Sequence, residues 1–436
     1  KIIVRTGSIF DKDNLIRCGI ETCRNVILST ENDAETIKAI LAIRQTAFCH
    51  EDHQGYITTI IHQKSNIDVA RSISSKRLVM IHLGDAMNRI MAQSCLQPGL
   101  SFVYKDVFDF SGDEFYFYPF KPNMIGTKFG QWPARFEDSV VVGIVRNHEV
   151  LLNPDAETPL MDGDQLVLIS EDDDTMIENG QDSHRFESMI VSKPHRDNRI
   201  RRHILSIGWN ESTLSVMKEM EPYVKDGSRI TFLVPNVDMV QGQEAIDFMK
   251  CDIQSGDFTS YDVLSKIDYS DIDTVVIFGS CSDEEESDAQ TLLTVLHLRR
   301  IEKERGKDLQ IVIEIKVNRN AETLQFASID DFVVSNVLSN KMLSQISENR
   351  YLSGLFEELL SPEGNELYLK KASDYVKLHE TVDFYAVVES AIRKQEIAIG
   401  YKKKGRLAKG GVVVNPDKSE TLTFEEGDQV IVIAQD

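Results

Sequence analysis

Apolar residues along this chain come in short unbroken runs, separated by stretches of helical period. "RHILSIGW" (202–209) is β-branched and ends near Gly208, and the "STLSVMKEMEPYV" that follows has helical spacing. "SRITFLVP", "TVVIFGS" (274–280), "DLQIVIEIK" (308–316) and "DDFVVS" are further runs, with the helical "DAQTLLTVLHLRRIEKE" between two of them. Strands that are apolar on both faces and alternate with helices predict a parallel sheet covered on both sides.

The front of the chain repeats this pattern at an offset of about 250 residues. "NVILST" (25–30) matches "TVVIFGS", and "DAETIKAILAIR" (33–44) matches "DAQTLLTVLHLR" (288–299), so that Asp33 falls on Asp288. "GYITTIIH" matches "DLQIVIEIK", "NRIMAQ" (88–93) falls on "NKMLSQ" (340–345), and "GDEFYF" (112–117) on "GNELYL" (364–369). A repeat of this length is a duplicated domain. After each sheet comes a smaller β-rich piece, 112–172 and 364–435. Each ends on one phrase, "NPDAETPLMDGDQLVLI" from Asn153 and "NPDKSETLTFEEGDQVIVI" from Asn415. Asn, Pro and Asp are turn chemistry, and the Gly turn launches a last strand. The phrase predicts a hairpin that closes the small lobe.

The fold class expected is α/β: two tandem Rossmann-like domains with parallel sheets, each followed by a small β-rich C-lobe. The expected bounds are 1–108 and 109–174 for the first pair of lobes, 175–201 for a polar linker, and 202–361 and 362–436 for the second pair. Counting back by the offset, the front copy is expected to begin about fifty residues before Lys1, without its first strand–helix–strand.

Composition narrows the function. A net charge of −22 over 436 residues disfavours nucleic acid and anionic lipid as partners. The six cysteines form no C-x-x-C pair, which reads as reduced thiols in a cytosolic setting. His50 and His53 flank "ED" in a polar stretch, where a solvated loop competes with a metal site. No apolar run approaches the length of a membrane-spanning helix, and no signal peptide opens the chain. No G-x-S-x-G, H-E-x-x-H or P-loop is present, so an enzyme is not expected. A dinucleotide site wants G-x-G-x-x-G after the first strand and an acid ending the second. "GWNEST" offers Gly208 alone and "FLVPN" has no acid, so NAD is not expected.

Carboxylates cluster at matched positions, "TENDAE" (30–35) and "SDEEESDA" (282–289). Both follow a strand and precede a helix, at the carboxyl edge where α/β sheets bind ligands. Two readings stand. The acids cap a helix and complement its dipole, or Glu31, Asp33, Glu35, Asp283, Glu285 and Asp288 supply oxygens to a hard cation such as Ca²⁺. "EDDD" (171–174) is a third acidic run.

The tandem architecture resembles the regulators of potassium conductance, or RCK domains. "QPGL" (97–100), "DFVVSN", "EGNE" and "EIAIGYK" in this order narrow the resemblance to the CASTOR/POLLUX ion channels, over most of the chain. The loops are shorter than in the plant members, which favours a microbial relative. The resemblance implies the cytoplasmic gating-ring region of a homotetrameric cation channel, eight RCK domains to a ring. It implies a covalent transmembrane pore outside this chain and regulation by calcium. An NAD(H)-binding oxidoreductase and a regulatory subunit of a separate potassium transporter are the alternative readings.

Overall fold

The computed structural model describes residues 2–30, 32–49, 55–73, 77–110, 112–179, 184–191, 193, 199–317, 320, 331–361, 364–405 and 408–435. Its front sheet is β1 (Val26–Leu28), β2 (Ile57–Ile60) and β3 (Leu78–Ile81), all parallel and in that order. Helices α1 (Lys12–Arg17), α2 (Asp33–Ile43) and α3 (Ile67–Ile73) accompany it. The pair α4 (Leu83–Leu96) and α5 (Leu100–Val107) leads to a small sheet of β4 (Glu114–Tyr118), β5 (Ser139–Arg146), β6 (Glu149–Leu152) and β7 (Gln165–Ser170).

The back half contains β8 (His203–Ile207), α6 (Thr213–Lys218), β9 (Ser228–Val234), β10 (Met249–Ser255), α7 (Tyr261–Leu264), β11 (Thr274–Ile277), α8 (Glu284–Arg305), β12 (Gln310–Ile315) and β13 (Asp331–Val334). These strands form one parallel sheet in the order β10-β9-β8-β11-β12-β13. That is the doubly wound arrangement, with its switch point between β8 and β11. The core on one face joins Leu205, Ile207, Val275, Ile277, Ile311 and Ile313 to Val295, Leu298 and Ile301 of α8. Strands β1–β3 correspond to β11–β13. Among the described residues, β1 has β2 as its one sheet neighbour.

The second helix pair, α9 (Ser335–Glu348) and α10 (Tyr351–Leu359), precedes the second small lobe. That lobe holds β14 (Glu366–Lys371), β15 (Thr381–Asp383), α11 (Phe384–Ile392), β16 (Ile397–Lys402), β17 (Val412–Val414), β18 (Thr421–Thr423) and β19 (Gln429–Ala434). The two lobes share their wiring, β4-β7-β5-β6 and β14-β19-β16-β17. They even share a bulge, before Gly143 in β5 and before Gly400 in β16. A Cβ on either glycine would lie 2.5 Å or less from a carbonyl of the neighbouring strand, so the backbones approach too closely for a side chain.

The closing-hairpin expectation is corrected here. The strand that ends each phrase, β7 or β19, is central and pairs on both sides. Its residues are buried on both faces, which an edge position could not provide. The phrase is therefore a crossover from the edge strand β6 or β17 to the middle of the sheet. The sixth strand of the back sheet, β10, is also absent from the sequence reading. It is an edge strand, and its Lys250, Asp252 and Gln254 are exposed.

The chain forms two compact units, Lys1–Ala86 with Ser339–Glu357, and Met87–Leu338 with Glu358–Asp436. Most of the first helix pair falls in the second unit, and most of the second helix pair in the first. In the first unit, Asn25 and Tyr56 donate to the Ser347 carbonyl at the end of α9, each at 2.9 Å. In the second unit, Thr274 donates to the Cys95 carbonyl at 2.8 Å, and Gln310 to Ser94 and Arg202 to Leu96, each at 3.2 Å. Each sheet's amino edge thereby caps the carbonyl end of the other copy's helix. Among the described residues, no helix is long and apolar enough to cross a membrane.

Candidate functional site

The acids nominated by sequence sit at the carboxyl edges of the two sheets. Asn32 caps α2 by accepting the Glu35 N–H at 3.0 Å, and Asp283 caps α8 by accepting the Glu286 N–H at 2.9 Å. Asp33 is the first residue of α2 and Asp288 lies in the second turn of α8; both are buried and do the same thing in each copy. Asp33 accepts from His62 N–H (2.8 Å), Gln63 N–H (2.9 Å) and Asn66 Nδ2 (2.8 Å). Asp288 accepts from Lys316 N–H (3.0 Å), Val317 N–H (3.0 Å) and Asn320 Nδ2 (2.8 Å). Each carboxylate fastens the loop that leaves the next strand. Burial works against the charge on Asp33, but the His62, Asn66 and Gln63 donors outweigh it and hold the carboxyl below its usual range.

The other nominated acids do not converge. Glu35 is half-buried in the first turn of α2, and Glu285 is exposed beside Asn320. Glu31, like His50 and His53, lies outside the described residues. Among the described residues, the one group of three carboxylates with ligand atoms within 4.8 Å of each other is Asp172, Asp173 and Asp174, all exposed.

At the switch point of the back sheet, Gly208 has φ +80°, and a Cβ there would sit 2.2 Å from the Phe278 carbonyl. Asn210 Oδ1 accepts from the Ser212 and Thr213 N–H groups, and its Nδ2 donates to Glu314 at 2.7 Å. Burial raises the Glu314 carboxyl, and Asn210 opposes it. Along β9 and β10, at one end of the sheet, lies an open cavity of about 600 Å³. It is lined by His203, Arg229, Thr231, Asp252, Lys266 and Asp271 among others, and His203 bridges Asp271 (3.1 Å) and Thr231 (3.0 Å).

Two further constellations were not nominated by the sequence. In the first, Asp331 opens β13 with no exposure, and its oxygens accept from Gly99 N–H (2.6 Å) and Ser101 N–H (3.1 Å) at the start of α5. Lys402 of β16 donates to the Pro98 carbonyl in the same turn. "QPGL", "DFVVSN" and "EIAIGYK" thus meet at one junction. The available signal was an acid directly opening an apolar strand, which must find donors if buried.

In the second, the doubled phrase joins the two small lobes. Asn415 Nδ2 donates to Asp113 (2.7 Å) and the Asp138 carbonyl (3.0 Å). Asn153 Nδ2 donates to Asn365 and the Gln395 carbonyl, each at 3.0 Å. Beside Asn415, the buried Lys418 ammonium donates to the carbonyls of Phe136 (2.6 Å), Ser139 (2.6 Å) and Glu137 (3.3 Å). Burial pulls Lys418 down to about 8, against the nearby Glu137, Asp138 and Asp417. Burial, with Asp138 and Glu137, pushes Asp417 up to about 6.

A family model described as Castor and Pollux, part of voltage-gated ion channel, matches residues 84–185. That span holds α4, α5 and the first small lobe. The ion channel POLLUX of Lotus japonicus is 24% identical over 482 residues, covering 99% of this chain and 52% of its own length. The ion channel CASTOR of Lotus japonicus is 24% identical over 496 residues, covering 100% of this chain and 56% of its own. This chain is similar to the CASTOR/POLLUX ion channels along its whole length. It spans about half the length of the curated relatives it matches. The human SLO3 gating ring shares the fold, with a TM-score of 0.69 at 14% identity over 98% of this chain and 90% of that one. The CASTOR/POLLUX resemblance read from the sequence motifs and the expected tandem α/β fold therefore stand together.

Proposed function

We propose that this chain is the ligand-sensing, ring-forming region of a CASTOR/POLLUX-type cation channel, with no catalytic role. The observation that carries the reading is the doubled Rossmann-plus-β-lobe architecture, its halves tied by exchanged helix pairs, in a chain matched end to end by relatives named ion channels. The engagement of Asn210 with the amides of its own helix, and the lack of a further glycine in "GWNEST", support a role other than dinucleotide chemistry. In this reading four chains close into a ring of eight domains beneath a pore carried elsewhere in the protein, in the cytoplasm. A ligand that favours one ring shape shifts the pore by its differential affinity alone.

Calcium is the ligand proposed, on the strength of the net charge of −22 and the acids at the carboxyl edges. Asp33 and Asp288 are engaged by their loops, which leaves Glu35 for the edge of the front sheet, and the capping Asp283 with Glu285 beside Asn320 for the edge of the back sheet. Sedimentation of the purified chain tests assembly, and a monomer at every concentration would sink the ring. Calorimetry with Ca²⁺ on Asp283→Ala and Glu285→Ala tests the ligand, and unchanged affinity in both would remove this edge from the scheme.

A further inference from the structure

Strand β10 leaves one side of the back sheet open. It runs for seven residues, paired to β9 without a break in register. Just beyond it, the Gly256 N–H closes on the Val234 carbonyl of β9 at 2.9 Å. Backbone groups alternate sides along a strand, so those of Met249, Cys251, Ile253 and Ser255 point away from β9. Among the described residues, no other backbone group pairs with them. Exposed edges are commonly blunted by a bulge, a proline or charge. Strand β10 has neither bulge nor proline, and its charges come in both signs. Lys250 and Asp252 are exposed and make no ion pair among the described residues. Lys250 also stands in register with Arg229 of β9, a like-charge pairing that a carboxylate on the open side relieves.

We propose that β10 is an interaction surface for a second copy of this chain, the two strands pairing antiparallel about Cys251. A twofold axis perpendicular to the sheet joins the two copies and keeps each face on its own side. Opposed residues must then share a face, so the axis passes through a residue. An axis through Lys250 sets Lys against Lys, and one through Asp252 sets Asp against Asp. An axis through Met249 or Ile253 leaves Lys250 opposite Phe248 or Gly256. Through Cys251, Lys250 meets Asp252 twice and Met249 meets Ile253 twice, so charge selects this register. Cys251 carries a free, half-buried thiol. The two copies of Cys251 become a hydrogen-bonded pair with Cα atoms ~5.5 Å apart, inside the roughly 4.4–6.8 Å that a disulfide spans. So short a pairing is weak between single chains and gains strength where several chains are already joined. The contact multiplies whatever else the chain forms by two, which separates it from the closure of a ring.

The experiment is sedimentation of the whole chain over a concentration series, for wild type, Lys250→Glu, Asp252→Lys and the double exchange. Each single change turns both Lys–Asp pairs into like-charge pairs and should weaken the doubling of mass about tenfold. The double exchange restores both pairs with their signs reversed and should recover the doubling. Oxidation with copper–phenanthroline should link Cys251 to Cys251, identified by mass spectrometry of the joined peptides. The link should form in wild type and in the double exchange, and far less in either single change. No Cys251–Cys251 link in wild type, or a double exchange no better than the single ones, overturns the pairing. If a single change disturbs folding, the position of the wild-type link still decides.

Discussion

Asn153 and Asn415 each reach across to the other small lobe, and they land on equivalent targets. Asn415 donates to Asp113 and Asn153 to Asn365, the matching positions of "GDE" and "GNE". Both asparagines have φ 45°, in the left-handed region where few side chains sit comfortably. Replacing either by Ala should cost about 2–3 kcal/mol, from strain plus two lost hydrogen bonds. Glycine removes the bonds without the strain and should cost about 1–2 kcal/mol. Urea melts of the four variants check this, and equal losses for Ala and Gly would dismiss the strain contribution.

The loop role of Asp33 and Asp288 is separable from cation binding. Asp33→Asn and Asp288→Asn should each cost about 1–2 kcal/mol and speed amide exchange at 62–63 and 316–317 respectively. Calcium affinity should not change. The lowered carboxyl of Asp33 adds a pH signature. Its stabilisation is present above the unfolded value near ~4 and is lost as pH falls through the lower folded value. Melts at acid pH should therefore narrow the gap between wild type and Asp33→Asn.

Lys418 fills the space between the lobes with three donors for three carbonyls. Lys418→Met keeps the stem and removes the donors, stranding buried acceptors. The expected loss is about 2–4 kcal/mol. Thermal unfolding measures it, and a neutral outcome would show that water replaces the ammonium there.

Gly208→Ala should be among the most damaging single changes in the back sheet. It places a methyl 2.2 Å from the Phe278 carbonyl on a backbone at φ +80°. A cost of at least about 2 kcal/mol is expected, with loss of exchange protection along β8 and β11. Circular dichroism melts of this variant, beside Gly306→Ala where no atom crowds the Cβ, isolate the steric share.

Much of the fold was legible because most strands of the back sheet are buried on both faces and so read as unbroken apolar runs. Strand β10 escaped because an edge strand lets every second residue meet water, and Lys250, Asp252 and Gln254 look like loop. The site was less legible. Position alone could mark Asp33 and Asp288 as a pair. It could not say that their acceptor oxygens were already claimed by amides about 30 residues downstream, although Asn66 and Asn320 stand at matching places as a usable hint. Asp331 and Gly99 are 232 residues apart, a pairing that no local periodicity encodes.

The exchange of helix pairs also bears on how this gene can change. The end of α4 is finished by Thr274 and Gln310, and the end of α9 by Asn25 and Tyr56. Neither copy is a complete folding instruction. A chain severed in the polar stretch near 180 would yield two pieces that each expose the other's binding edge, and they would have to find each other to fold. The ancestral copies could once have drifted separately. Since the exchange, a substitution at one helix end is judged by a sheet encoded in the other half, so the two repeats are inherited as one.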